Sequence, residues 1–271
     1  MHVTLRGVMR SSTAVSVRYA VRPSLEAWVL PEGTVPESIA HDTTARRLCD
    51  LLDAWVERAA RPVRVARNLA VRWLREDARI GVDPDLCVLD PPPPRVEEVG
   101  SLKLWEPGCT PPSLSVEIVS RAHPHKDYSA IQDRYAAMGT AELVVVDPQL
   151  LGPAALGGPV PVQVWRRDAA SSLFERVHFG DGPAFSEVLR AWIFVEGGRV
   201  SISDDAAGAY RWRSAAERAE AERLEKERER AEKERERAEK ERERAEKERE
   251  RAARQDLERR LARLEAAAGR R

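Results

Sequence analysis

Residues 114–120, Leu-Ser-Val-Glu-Ile-Val-Ser, form a short apolar run with a single carboxylate near its centre. The length of the run and its β-branched residues predict a buried strand. A charged group inside such a strand is costly unless it is paired or binds a cation. Glu117 is therefore either a candidate for a functional residue or an edge residue that faces water.

Both helices and strands are predicted before and after this strand in the sequence. The pattern predicts a strand over 15–21, a helix over 41–60 capped by Asp42, Thr43 or Thr44, strands over 63–73 and 81–89, a helix over 128–138 closed by Gly139, and strands over 143–146, 162–166 and 193–202. The order strand, strand, helix, strand in the middle of the chain predicts an α/β sheet with a crossover helix.

Asp85 follows Pro84 in the segment 81–89, where a turn at the proline leads into the strand. An aspartate after a proline is more often a turn or cap residue, so this position alone is a weak signal. Asp85 and Glu117 on neighbouring strands would form an oxygen-rich site suited to Mg²⁺ or Mn²⁺. Such an ion polarises a phosphate group and lowers the pKa of an attacking water molecule.

A longer, ordered set of residues carries a family resemblance. The set consists of Pro84-Asp85, Val116-Glu117-Ile118-Val119-Ser120, Asp127, Tyr135, Gly139, Glu142 and Val146-Asp147-Pro148. In this order it resembles the Uma family of restriction-endonuclease-like proteins, which belongs to the PD-(D/E)XK nuclease superfamily, over roughly residues 30–205. The resemblance implies a restriction-endonuclease-like mixed β-sheet flanked by helices. It also implies that Asp85 and Glu117 are metal ligands and that Asp127 is a supporting acidic residue.

The sequence departs from the family pattern at the catalytic lysine. The superfamily lysine, two residues after the glutamate, falls at Val119, and the lysine that the family often carries on the following helix falls at Ile131. The nearest basic residues are Lys126 and Arg134. A lysine can orient or deprotonate water, whereas an arginine is a poor base because it stays protonated. Lys126 is therefore the predicted catalytic cation.

Two functions from different classes remain open. The first is a Mg²⁺- or Mn²⁺-dependent endonuclease that hydrolyses DNA, with the catalytic residues Asp85, Glu117, Lys126 and Asp127. The second is a catalytically inactive binding module of the same fold, joined to a helical spacer or oligomerisation arm. The retained pair of carboxylates favours the first function, and the missing lysine favours the second.

Three histidines lie near the candidate residues or at the start of the first helix. His123 and His125 stand between Glu117 and Asp127, where a histidine pair two residues apart either binds a metal ion or belongs to a solvated polar loop, which is the commoner case. His41 either faces the site or belongs to the cap region of its helix.

Composition limits the partners and the compartment. The 45 basic and 45 acidic residues give no net charge, which argues against a strong sequence-independent nucleic-acid binder but leaves room for a local basic groove. The three cysteines form no Cys-X-X-Cys pair, which favours free thiols in a reducing cytosol. Since no signal peptide or membrane span is recognisable, we expect a cytoplasmic protein without membrane contacts.

The chain separates into three segments. Residues 1–24 have no clear role, residues 25–212 have the composition of a globular domain and would hold the restriction-endonuclease-like fold, and residues 213–271 are almost entirely Glu, Arg, Lys and Ala until close to the end.

A seven-residue repeat, Ala-Glu-Lys-Glu-Arg-Glu-Arg, starts at Ala231, and the absence of Pro and Gly from about Arg213 to Ala268 predicts one long helix over these residues. Each heptad offers only Ala as an apolar position, so a solvated single helix is favoured over a coiled coil. Leu257, Leu261 and Leu264 restore the spacing at which weak self-association of this helix becomes possible.

Overall fold

The structure is a computed structural model that describes residues 14–18, 25–30, 38–58, 62–94, 99–129 and 131–268, with side chains described as far as residue 260. The chain divides into two compact units, Met1–Ala215 and Ala216–Arg271. The first unit is a mixed α/β domain with a multi-stranded mixed sheet and helices, which confirms the predicted fold class.

Most elements of the first unit are strands. In the described part of the chain, three α-helices lie between strands along the sequence, and a fourth, long helix follows the last strand. In the described residues, the strands are β1 (Ser16–Val17), β2 (Arg64–Arg67), β3 (Ala70–Arg72), β4 (Gly81–Val82), β5 (Leu86–Leu89), β6 (Ser101–Lys103), β7 (Leu114–Ile118), β8 (Glu142–Val146), β9 (Val162–Arg167), β10 (Phe174–Gly180), β11 (Ala184–Ser186), β12 (Ala191–Glu196) and β13 (Arg199–Ser203). The helices are α1 (Ile39–Arg58), α2 (Lys126–Ser129), α3 (Ile131–Met138) and α4 (Ala215–Ala268).

Seven strands form the central sheet in the order β1-β10-β9-β8-β7-β5-β2. The strands β7 and β8 run parallel, and the other neighbouring pairs are antiparallel. A parallel pair needs a crossover connection, which α2 and α3 provide. Two three-stranded sheets, β11-β12-β13 and β4-β3-β6, accompany the central sheet.

Both faces of the central sheet are covered, so every residue of β7 and β8 is buried. Leu48 and Leu51 of α1 belong to the same apolar cluster as Val144 of β8. On the opposite face, Tyr135 of α3 belongs to a second cluster with Val145. Because successive side chains of a strand point to opposite faces, Glu117 lies on the face that α3 covers.

The strand predicted over 63–73 is two strands in the structure. The strand is interrupted at Asn68, whose φ of 50° is in the left-handed region that asparagine tolerates better than most residues. As a result, β2 joins the central sheet and β3 joins another sheet. Similarly, the segment 193–202 is a hairpin of β12 and β13, because Gly197 and Gly198 both adopt positive φ.

The first helix begins earlier than predicted, and the predicted capping residues were wrong. Ser38 is the cap, since its Oγ accepts a 3.2 Å hydrogen bond from the backbone N–H of His41. The hydroxyl groups of Thr43 and Thr44 donate to carbonyl groups one turn earlier, inside the helix.

Other predicted boundaries shifted as well. The helix predicted over 128–138 appears as α2 and α3, with residue 130 outside the described residues. Only two residues of the strand predicted over 15–21 form β1, and residues 19–24 are not described. The strands β6, β10 and β11 had no counterpart in the prediction.

The second unit consists of the greater part of α4, a single helix that confirms the predicted long charged helix. Three glutamate–lysine pairs four residues apart lie within 4.0 Å on this helix: Glu222–Lys226, Glu236–Lys240 and Glu243–Lys247. Leu257 is exposed, and the side chains of Leu261 and Leu264 lie outside the described residues.

Candidate active site

Strand pairing brings the two candidate metal ligands together. Leu86 of β5 lies opposite Val116 of β7, so the same register continued by one residue places Asp85 opposite Glu117. The Oδ2 atom of Asp85 also accepts a 2.7 Å hydrogen bond from the backbone N–H of Ile118, the residue after Glu117. The carboxylates of Asp85 and Glu117 therefore belong to one site at the ends of β5 and β7.

Glu117 is the most deeply buried group of this site, with no exposed surface. Its Oε1 accepts a 2.5 Å hydrogen bond from the hydroxyl of Tyr135, and its Oε2 lies 3.2 Å from Nζ of Lys126. Burial raises the pKa of Glu117 to about 7, although the Lys126 ammonium opposes this rise. The carboxylate of Asp85 adds to the rise because like charges repel.

Lys126 and Asp127 begin α2 and complete the charged group. The Nζ atom of Lys126 lies 3.6 Å from Oδ1 of Asp127, and the Lys126 side chain is 41% exposed. The attraction of Glu117 raises the pKa of Lys126, so its ammonium stays protonated at neutral pH. Burial, followed by the repulsion of Glu117, raises the pKa of Asp127 well above its usual range. These shifts favour Lys126 as a fixed positive charge over Lys126 as a base.

The two positions of the family lysine are part of the apolar core. Val119 is 3% exposed and Ile131 is fully buried, and both belong to the cluster under α3. Arg134, the other basic candidate, donates a hydrogen bond to the carbonyl of Ala27. Lys126 is therefore the predicted basic residue that the structure brings to Glu117.

The histidines divide between the site and the surface. Nε2 of His41, on the first turn of α1, lies 3.1 Å from Oδ2 of Asp85. His123 and His125 are exposed on the loop between β7 and α2. In the described part of the chain, no group of three or more His, Cys, Asp and Glu side chains is arranged to hold a metal ion.

The donor set at Asp85 and Glu117 nevertheless fits a hard divalent cation. Mg²⁺ is commonly held by one or two carboxylates, with water completing its shell. Among the described residues, the buried Oδ1 of Asp127 accepts no hydrogen bond and has only the ion pair with Lys126. Glu117 and Asp127 thus share the Lys126 ammonium group, and an added cation would favour the ionised forms of these carboxyl groups.

Asp147, another residue of the ordered set, anchors α2. It accepts hydrogen bonds of 2.8 Å from the backbone N–H groups of Leu151 and Gly152 and one of 3.1 Å from the hydroxyl of Tyr128. Tyr128 lies on α2, two residues after Lys126. Asp147 therefore fixes the helix that carries the ammonium group, without joining the site itself.

Glu142 stands apart from the site, although it belongs to the same ordered set. It lies opposite Leu114 at the beginning of the parallel pair, whereas Glu117 lies opposite Val145. Its carboxylate accepts hydrogen bonds from Ser186, from Arg166 and from the backbone N–H of Glu187, so both of its oxygens have partners within the fold.

Sequence reasoning left two residues of the site without a role. Tyr135 was part of the ordered set, but nothing in its spacing indicated a contact with Glu117. His41 was placed either at the site or at the helix cap, and the structure shows that its ring contacts Asp85 while its backbone N–H contacts the cap. Both contacts depend on helices packing over the sheet, which the local sequence does not specify.

A comparison of the sequence with known protein families finds a match. Residues 20–152 match the model of the Uma2 family, described as "Putative restriction endonuclease". This segment is similar to the Uma2 family. The resemblance predicted over roughly residues 30–205 is confirmed as far as residue 152, and the matched segment includes all four candidate residues, Asp85, Glu117, Lys126 and Asp127.

Beyond the Uma2 family, the chain is similar to a solved structure titled as a putative nuclease belonging to DUF820 from Anabaena variabilis. The two share 15% sequence identity with a TM-score of 0.35, over 56% of this chain and 73% of the other. No curated protein matches the sequence. None of the helices in the described ranges has the length and apolar character needed to cross a bilayer.

Proposed function

We propose that the Uma2-like domain is a divalent-metal-dependent nuclease that hydrolyses the phosphodiester bonds of DNA. The observation that carries the proposal is the meeting of Asp85, Glu117, Lys126 and Asp127 at the ends of β5 and β7. The carboxylates supply the oxygen ligands that Mg²⁺ and Mn²⁺ prefer. The ammonium group supplies positive charge for a phosphate.

Asp85 and Glu117 are the residues that would hold the ion. When bound, the ion polarises a phosphate oxygen and lowers the pKa of a water molecule. Tyr135 fixes Glu117 through its hydrogen bond. Lys126, which keeps its proton, binds a phosphate oxygen or orients the attacking water, and charge that is already in place needs no reorganisation during the reaction.

The loop between β7 and α2 supports a nucleic-acid substrate. Arg121, His123 and His125 are exposed on this loop, directly before Lys126. Basic side chains in this position would bind backbone phosphates and guide them towards the ammonium group. Because the whole chain carries 45 basic and 45 acidic residues, DNA binding would depend on this local group and not on the net charge.

A cleavage assay with Mg²⁺, Mn²⁺ or EDTA tests the proposal, using supercoiled plasmid, single-stranded DNA and RNA as substrates. The variants Asp85→Asn and Glu117→Gln should lower the cleavage rate by at least about 100-fold, which corresponds to about 2.7 kcal/mol of lost transition-state stabilisation. The matched control is Asp77→Asn, a surface aspartate paired with Arg79, which should cleave as the wild type does.

Lys126 is tested by the same assay. Lys126→Met should lower kcat much more than it weakens DNA binding, and Lys126→Arg should retain part of the activity because it keeps the charge. The control Lys103→Met changes a lysine that pairs with Glu106. If the wild type cleaves none of the substrates with any of the metals, the domain is a binding module and the proposal is wrong.

A further inference from the structure

The carboxylate of Asp85 is held from two elements at once. Its Oδ2 atom accepts a 2.7 Å hydrogen bond from the backbone N–H of Ile118 on β7. The same oxygen lies 3.1 Å from Nε2 of His41 on α1. Both contacts end on Oδ2, and among the described residues no hydrogen bond ends on Oδ1.

We propose that His41 is a positioning residue that orients Asp85 for metal binding, a role that rests on the proposed nuclease function. An ionised carboxylate only accepts hydrogen bonds, so this contact requires a proton on Nε2 of His41. Two donors on Oδ2 prevent the carboxylate from rotating and leave Oδ1 as the oxygen that is available to a cation.

The position of His41 in its helix makes the contact rigid. His41 is the third residue of α1, its backbone N–H is bound by the cap residue Ser38, and its side chain is only 5% exposed. A buried imidazole needs a polar partner, because an unpaired polar group inside a protein is costly. Asp85 is such a partner for Nε2.

The first turn of α1 has a second, independent link to the sheet. Asp42, the neighbour of His41, forms an ion pair of 3.1 Å with Arg67 on β2. Loss of the His41 side chain therefore leaves α1 attached at this end. The consequence of a substitution at position 41 should accordingly be concentrated on Asp85.

Donors behind a metal ligand fix its orientation, and their loss typically weakens metal binding or activity about 10–100-fold. This range sets the effect expected at His41. It also separates a positioning role from simple packing, because packing would be satisfied by any side chain of similar size, whereas positioning needs a donor at the place of Nε2.

The test measures Mn²⁺ binding to the full chain by isothermal titration calorimetry, with His41→Gln, His41→Asn and His41→Leu. The amide nitrogen of Gln reaches about as far from the backbone as Nε2, while that of Asn reaches only about as far as Nδ1. We expect His41→Leu and His41→Asn to weaken Mn²⁺ binding about 10–100-fold and His41→Gln to restore most of the affinity.

A matched control and a second measurement accompany the titration. Asp50→Asn changes an exposed aspartate farther along the same helix and should bind Mn²⁺ as the wild type does. Kinetics should show a lower kcat for His41→Leu with little change in KM for DNA. Thermal unfolding without metal verifies that each variant is folded, and the comparison of Gln with Asn decides the question if the Leu variant does not fold.

Equal Mn²⁺ affinity of the Gln and Asn variants, or wild-type affinity in His41→Leu, would overturn the role of His41. If the wild type binds Mn²⁺ and cleaves DNA while these variants are unaffected, this inference alone fails. If the wild type binds no Mn²⁺, the proposed function fails, and the role of His41 fails with it.

Discussion

The hydroxyl group of Tyr135 donates a 2.5 Å hydrogen bond to Oε1 of Glu117, and both residues are fully buried. The contact joins α3 to β7 across the face of the central sheet. Burial, followed by the nearby Glu117 carboxylate, raises the pKa of Tyr135 well above its usual range, so the hydroxyl keeps its proton. Tyr135 is thus a permanent donor to the most deeply buried carboxylate of the site.

Removal of this donor should destabilise the domain. In Tyr135→Phe, Oε1 of Glu117 remains buried without its donor, and we expect the free energy of unfolding to fall by about 1–3 kcal/mol. Denaturant unfolding measures the change, with the exposed Tyr210→Phe as control. In the Glu117→Gln background the same substitution should cost less, since an amide oxygen is a weaker acceptor than a carboxylate. Equal costs in both backgrounds would contradict the assignment.

The anchor formed by Asp147 should matter more for stability than a comparable aspartate at the surface. Asp147→Ala leaves the backbone N–H groups of Leu151 and Gly152 without their acceptor, which should cost about 2–5 kcal/mol, while the hydroxyl of Tyr128 keeps the carbonyl of Val160 as an acceptor. Asp168 is the matched control, since it also accepts bonds from two backbone N–H groups but is exposed. Asp168→Ala should cost less than about 1 kcal/mol, because water replaces the carboxylate. Similar losses in the two variants would argue against the anchor.

Arg121 should contribute to DNA binding without taking part in the reaction. If it contacts one phosphate, Arg121→Ala should weaken binding for all sequences alike and reduce the slope of log Kd against log salt by about 1. Fluorescence anisotropy over a range of salt concentrations measures both effects. The control is Arg75→Ala, another exposed arginine. An unchanged salt slope would show that the loop does not contact the DNA backbone.

Asp205 should make the stability of the first unit depend on pH in acid. Its carboxylate accepts bonds from the backbone N–H groups of Tyr210, Ala209 and Ala207 and from the hydroxyl of Ser203, which together lower its pKa to about 2. The folded state therefore binds this proton more weakly than the unfolded state, whose aspartate titrates near 3.8.

The resulting stabilisation is present above pH 3.8 and is lost as the pH falls towards 2. Asp205→Asn should lack this part of the pH dependence. Unfolding curves recorded by tryptophan fluorescence between pH 2 and pH 7 provide the measurement. A variant that loses stability in acid as steeply as the wild type would exclude this role for Asp205.

The helix α4 should be stable as a single, weakly associating helix. A peptide of residues 213–271 should be helical by circular dichroism, and its helicity should change with salt because screening weakens the ion pairs. Analytical ultracentrifugation should show a monomer or weak association that depends on Leu257, Leu261 and Leu264. A tight dimer that persists when these three are replaced by Ala would mean that the charged heptads themselves pair.

The sequence alone indicated Asp85, Glu117, Lys126 and Asp127 as candidates because they stand in a fixed order, but it gave Tyr135 and His41 no defined role. Glu117 is conspicuous in an apolar strand, and Asp85 precedes another. The long helix α4 was predictable from the sequence, since helix propensity and ion pairs four residues apart are properties of neighbouring residues.

The strand pairing and the packing of helices over the sheet were decided by the tertiary structure. Asn68 divides one apparent strand between two sheets, and the local alternation of apolar residues cannot show this. Contacts such as Tyr135–Glu117 and His41–Asp85 join residues 18 and 44 positions apart. They form because buried polar groups must find partners once the core closes, and the partner is whichever donor the packing of distant elements brings within reach.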